Sequence, residues 1–327
     1  MRAEHLETPA ILINRPVFDS NMEKMARLLA PLKVALRPHY KSHKSTDIAH
    51  LQVRAGAKGI TCAKVAEAED LALAGIEDIL IANQITEKNR IARVAYLAKG
   101  CRITVCVDQS QNIRDLEQAA AVEGSTIHCL VEYEVGMGRC GVTTHEAFRD
   151  LAMEVMACPH LVFDGVQAYA GQLSHEMDGT RRAEEAQRIE TELQSLLADL
   201  KKWQIPVKEV SGASTGTVEL RKEDTVYTEV QAGSYLFMDA TYRQMGLRFE
   251  NSLTVLATEY PAQSGGYRCR RQGLGCGSGE SRMSRIAWRF GEYERRTQCL
   301  HLPRPSLPCG GQDPAHPRPL LHHHESP

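Results

Sequence analysis

The sequence predicts a (β/α)8 barrel, and three features predict it. Short β-branched apolar segments alternate with longer amphipathic ones along most of the chain. Several of the short segments are almost continuously apolar, as parallel strands covered on both faces are. Eight of them follow the first strand-like piece, the number that closes a barrel. A doubly wound open sheet would show the same alternation, and the count favours the barrel.

In chain order, PAILIN (9–14) is the first strand-like piece, ahead of a barrel spanning about 15–245. The eight that follow are VALRP (34–38), GITC (59–62), DILIA (78–82), ITVCV (103–107), IHCLVEY (127–133), VFDGVQAY (162–169), VKEV (207–210) and VYTEV (226–230). Helical patterns run over 19–30, 45–56, 64–75, 87–100, 110–124, 144–157 and 181–203. Several open on a capping Ser, Asp or Thr, and four end at Gly56, Gly75, Gly100 and Gly124, the punctuation of βα repeats. Residues 1–14 and 246–260 read as strands of a second, β-rich domain.

Composition narrows the function classes. At 327 residues the chain can bury a large core, and its net charge of −2 sets up no field for nucleic acid or an anionic membrane. No apolar stretch is long enough to span a bilayer and the first ten residues lack a signal-peptide core, so a cytoplasmic protein is expected. Ten scattered cysteines without a CxxC pair read as reduced and mostly structural.

Barrel chemistry sits where strands end. After the first barrel strand comes RPHYKSHKS, in which Pro38 fixes the exit and His39 and His43 flank Lys41. A lone rim lysine is ordinary; one set among cations is disfavoured as an ammonium and becomes a candidate Schiff-base nucleophile. SGASTG (211–216) follows strand seven and AGSY (232–235) strand eight, where small residues leave backbone N–H groups for an anion. Each loop alone is ordinary turn chemistry; together with Lys41 they suggest pyridoxal phosphate, which needs an amine and a phosphate seat. EYEVGMGRCG (132–141) presents Arg139 on a glycine turn, either as an ion-pair partner or as a ligand contact.

RPHYKSHKS, GMGRCGV, QAYAGQLSH, VSGASTGT and QAGSYLFMDA, in this order, resemble the D-threonine aldolase and D-serine dehydratase family, whose barrel is that of the alanine racemase N-terminal domain. TVCVDQSQNIRDL, GRCGVTT and GSYLFMDA are most similar to 3-hydroxy-D-aspartate aldolases, and the resemblance runs from about residue 7 to 258. It implies a fold-type III pyridoxal phosphate enzyme with Lys41 joined to the cofactor. Arg139 would approach the phenolic oxygen, and Ser214, Thr215, Gly233 and Ser234 would bind phosphate. Gln84 and Tyr169 would line the ring, with His39 and Tyr235 completing the cofactor site and His175 acting as general base. The implied reaction is retro-aldol cleavage of a D-3-hydroxy amino acid to glycine and an aldehyde, assisted by a divalent metal such as Mn, Mg, Co or Zn. A dehydratase that expels the hydroxyl, and a homodimer, are further expectations of the resemblance.

The chain departs from the family beyond about residue 260. Residues 261–327 hold ten Arg but no Lys or Val, and eight of the fourteen Pro. A disordered Arg/Pro-rich tail and a slipped coding frame both fit, and the joint loss of Lys and Val favours the second. RCRRQGLGCG stands where the family continues VVDAGLKA, and the family's His-x-Cys/Asp metal pair has no counterpart. His322 to His324 sit in surroundings that do not match it, so no metal ligand is assigned. Beside the lyase, a cofactor-binding barrel with little turnover therefore stays open.

Overall fold

The computed structural model describes residues 6–261 and 267–269. Strand β1 (Ala10–Ile13) leads into α1 (Arg15–Leu29), where the Asn14 side chain accepts the Val17 N–H and Pro16 occupies the first turn. There follow β2 (Ala35–Leu36), a 3-10 turn at Tyr40–Ser42, α2 (Thr46–Arg54), β3 (Ile60–Cys62), α3 (Val65–Leu73), β4 (Asp78–Ile81) and α4 (Lys88–Leu97). The chain continues through β5 (Arg102–Val107), α5 (Ser110–Glu123), β6 (Ile127–Glu132), α6 (His145–Ala157), β7 (Leu161–Ala168), α7 (Gly179–Lys202), β8 (Glu209–Gly212), β9 (Glu229–Val230) and α8 (Ala240–Gln244). Strand β10 (Leu253–Leu256) pairs with β1 as a small sheet of its own. Ile11–Val255 form one compact unit; in the other, β11 (Glu259–Pro261) pairs antiparallel with β12 (Tyr267–Cys269).

Strands β2 to β9 make one eight-stranded parallel sheet in the order β2-β9-β8-β7-β6-β5-β4-β3. Its two end strands meet at a parallel bridge between His39 and Thr61. Lys58 N–H donates to Leu36 O and Thr61 N–H to Pro38 O, both at 2.9 Å, while the Thr61 hydroxyl donates to Arg37 O at 2.8 Å. The predicted barrel is thus the observed one.

Period-two alternation divides each strand between two cores. In β5, Ile103, Val105 and Val107 face the helical layer, while Cys106 joins Leu80 and Leu130 in the lumen. The crossover from β8 to β9 departs from the repeat, since it contains only a 3-10 turn at Val218–Leu220. Helix α1 covers the gap: Phe18, Met25 and Leu29 pack against Val218, Val230, Leu236 and Phe237. Each such burial contributes about 1.5–3 kcal/mol.

At the strands' starting ends the lumen is ionic. Arg37, fully buried, donates to Glu229 at 3.0 Å and to Asp78 at 2.6 Å; Lys58 bridges Glu209 and Glu229; Arg102 and His128 meet Asp164. The seventh barrel strand, expected at 207–210 and observed as β8, starts two residues later, at Glu209. Lys208 N–H is drawn to Asp164 O, and the strand runs on into small residues that apolar periodicity does not register. Gly212 is required there, because a Cβ would lie 2.1 Å from Ala168 O. The six cysteines before residue 160 are unpaired, and no helix among the described residues is long and apolar enough to cross a membrane. Most of the stretch read as a tail or slipped frame, with His322 to His324, lies outside the described residues.

Candidate active site

All the residues singled out by the sequence follow the C-terminal ends of strands and so share one end of the barrel. Lys41 stands on the turn after β2, exposed, with Nζ 5.5 Å from the centre of the Tyr169 ring. The guanidinium of Arg139 lies 5.9 Å from the same ring, so one aromatic residue after β7 gathers two cations from different loops.

The histidines beside Lys41 are not cations. His39 is buried and its Nδ1 accepts the Lys41 N–H at 3.3 Å, capping the turn that carries the lysine. Burial first, then the nearby charges of Lys41, His43 and Arg139, push its pKa down to about 3. His43 accepts the Ser45 N–H on Nδ1, and its Nε2 meets Gln52 Oε1 at 3.2 Å; burial lowers its pKa to about 4. Both rings are neutral at pH 7 and act by shaping the turn, which corrects the picture of a basic cluster around the amine.

Loops after β8 and β9 interlock. Tyr235 N–H donates to the Thr215 hydroxyl at 2.9 Å, and Ser214 N–H to Thr217 Oγ1 at 3.0 Å. A Cβ on Gly233 would fall 2.4 Å from Ser42 Oγ and 2.8 Å from His39 O, so only glycine lets the last loop lie against the turn bearing Lys41. Among the described residues, the N–H groups of Thr215, Gly216, Gly233 and Ser234 meet no acceptor. Thr215, Gly216 and Gly233 are buried. Unpaired donors on two interlocked loops, one of them packed on the turn that bears Lys41, suit a phosphate ester, so the residues present fit pyridoxal phosphate.

A group of hydroxyls lies between this seat and the aromatic side of the mouth. Tyr169 OH meets Ser174 Oγ at 3.2 Å, and burial raises the Tyr242 hydroxyl's pKa to about 12 against the lowering influence of Ser234 and Ser174 beside it. His175 is exposed, its ring 4.8 Å from that of Tyr242, and it joins the cluster only through that contact. Gln84, after β4, donates to Glu132 at 2.6 Å, and Arg139 approaches the same carboxylate at 3.3 Å. Sequence reasoning did not assign Glu132, Ser174 or Tyr242. For Glu132 a signal exists: it lies two positions after lumen-facing Leu130, so strand alternation aims it into the barrel mouth. Among the described residues no group of three or more His, Cys, Asp or Glu is placed to hold a metal.

The alanine racemase N-terminal domain model matches residues 13–241. A D-threonine aldolase of Arthrobacter sp is 38% identical over 257 residues, 77% of this chain and 68% of that protein. A 3-hydroxy-D-aspartate aldolase of Paracoccus denitrificans is 36% identical over 269 residues, 79% and 70% of the two chains. The crystal structure of D-threonine aldolase from Filomicrobium marinum superposes with a TM-score of 0.76 at 36% identity, covering 78% of this chain and 71% of that one.

Proposed function

The chain belongs to the alanine racemase N-terminal domain family, on the branch of the D-threonine and 3-hydroxy-D-aspartate aldolases, and from that premise we propose that it cleaves the Cα–Cβ bond of D-3-hydroxy amino acids. It is an enzyme of lyase type with pyridoxal phosphate as cofactor. The observation that carries the reading is the set of unpaired N–H groups on two loops packed against the turn that presents Lys41.

Pyridoxal phosphate, when bound, supplies an electron sink for the pair released as the bond breaks. Lys41 would hold the cofactor through its amine. Ser214, Thr215, Gly233 and Ser234 would seat the phosphate, while His39 caps the turn bearing Lys41 and Tyr235 ties the loop after β9 to Thr215. Arg139 would lie toward the phenolic oxygen, and Gln84 and Tyr169 would line the ring. His175 takes the proton from the substrate β-hydroxyl, and the exposed mouth lets substrate and aldehyde exchange. The names of the relatives support two candidate substrates: D-threonine, which would give glycine and acetaldehyde, and D-3-hydroxyaspartate, which would give glycine and glyoxylate. A divalent cation added to the assay tests whether the β-hydroxyl needs a Lewis acid.

The test is to purify the chain with pyridoxal phosphate, record its visible absorbance, and measure aldehyde from D-threonine and D-threo-3-hydroxyaspartate with Mn2+ or Mg2+. A band lost in Lys41→Ala together with aldehyde release is the expected result. Ammonia and a 2-oxo acid in place of glycine would assign the dehydratase reaction instead. An unchanged band in Lys41→Ala would remove the lysine from its role.

A further inference from the structure

Glu132 closes β6 at the barrel mouth and is only 4% exposed. Its Oε2 accepts the Gln84 amide at 2.6 Å, and its Oε1 accepts both Arg139 and the Cys140 thiol at 3.3 Å. A carboxylate only accepts, so Gln84 is obliged to turn its NH2 toward Glu132 and its carbonyl oxygen away. The backbone around it is equally determined. Val142 N–H donates to Glu132 O at 2.9 Å, and Gly141 N–H donates to Asp108 Oδ2 at 3.0 Å, which pins the turn bearing Arg139 across the end of β6. A Cβ on Gly141 would lie 2.9 Å from Glu132 O, so this close return of the chain needs glycine.

From this arrangement we infer that Glu132 is a positioning residue: it sets the orientation of the Gln84 amide and holds Arg139 beside Tyr169, so that both face the cofactor seat already arranged. The role rests on the pyridoxal phosphate reading above. A carboxylate serving only as an ion-pair partner would need Arg139 alone. Here its second oxygen is committed to an uncharged amide from another strand end, which joins the loops after β4 and β6 through one buried group. Cys140 reports on the same carboxylate, because burial and the neighbouring charge of Glu132 both raise its thiol pKa while Arg139 lowers it.

The experiment uses the full chain with Glu132→Gln, Arg139→Gln and the double substitution. Pyridoxal phosphate affinity is read from visible absorbance, and the alkylation rate of Cys140 in cofactor-free protein is read by peptide mass mapping. Glu132→Gln is expected to weaken cofactor binding about tenfold or more, as loss of charge-assisted hydrogen bonds does. Arg139→Gln should then cost less in that background than in the wild type, because the two residues act as one unit. Cys140 should alkylate faster in Glu132→Gln, and Glu132→Asp, which keeps the charge, should restore part of the slow rate; this comparison also serves if the amide variant folds poorly. Additive effects on affinity in a wild type that binds the cofactor, or an unchanged Cys140 rate, overturn the role alone. A wild-type chain that takes up no pyridoxal phosphate overturns the cofactor reading and the role with it.

Discussion

Where the strands begin, Arg37 lies fully buried between Glu229 and Asp78, and Lys58 and Arg102 complete a lattice of opposed charges. Where the strands end, Lys41 is exposed, makes no ion pair among the described residues, and shares the Tyr169 ring with Arg139. Burial alone would raise the Glu229 carboxyl, yet Arg37 and Lys58 hold it below the ordinary range. At the other end burial wins, and His39 and His43 are kept neutral instead. The difference separates two uses of polar groups in one lumen. Charges that satisfy one another fix the closure of the sheet, whereas at the mouth Lys41 rests on an aromatic ring without an ion pair among the described residues and Arg139 is shared between that ring and Glu132, which leaves cations within reach of an anionic ligand.

The largest expected effect breaks the first half of this contrast. Arg37→Met leaves Glu229, Asp78 and Glu209 without their buried cation and should cost about 3–5 kcal/mol, read as a drop in the urea midpoint. An unchanged midpoint would show that the ionic end does not hold the barrel together.

Acidification should loosen the two ends in sequence. For His39 and His43 the folded pKa lies below the usual 6.5, so below that pH the unfolded chain binds protons that the folded chain refuses. Stability is flat above 6.5 and falls toward pH 4, by up to about 1.4 kcal/mol per pH unit for each group. Glu229 contributes in the opposite region: its stabilisation is present above the ordinary 4.5 and is lost only as pH falls through its lower folded value. Hydrogen exchange at residues 39–45 should therefore quicken before that at 229–230, and simultaneous loss would erase the distinction.

Gly233→Ala tests the seam between the loops. Its Cβ would press on Ser42 Oγ and His39 O, which should cost about 1–3 kcal/mol and weaken cofactor binding together. The smallest effect on stability belongs to Lys41→Ala. The side chain is exposed, so the melting midpoint should move by no more than about 0.5 kcal/mol while cofactor capture is lost. A large stability loss there would mean that Lys41 is structural.

Much of this was legible in the sequence. The apolar runs located each barrel strand, and the small residues after strands seven and eight marked two loops that pack together beside the turn bearing Lys41, because both patterns lie within short windows of chain. VKEV was displaced from the strand it announces, since the pairing of Gly212 with Ala168 depends on a neighbour forty-odd residues away, beyond any local periodicity. The neutrality of His39 and His43 was hidden for the same reason: the two histidines and two lysines of RPHYKSHKS look alike until burial separates the rings from the lysines.

The sequence by itself determined the alternation of strands and helices, their number, and which loops are small and polar, because these follow from side-chain periodicity and backbone freedom along the chain. Tertiary structure alone decided that the sheet closes at His39 and Thr61, that α1 stands in for the helix missing from the seventh crossover, and that Glu132 gathers Gln84 and Arg139. Each of these depends on curvature bringing distant strand ends within hydrogen-bonding reach, and charge and protonation at the mouth are set only once that curvature has excluded water from one residue and left it on the next.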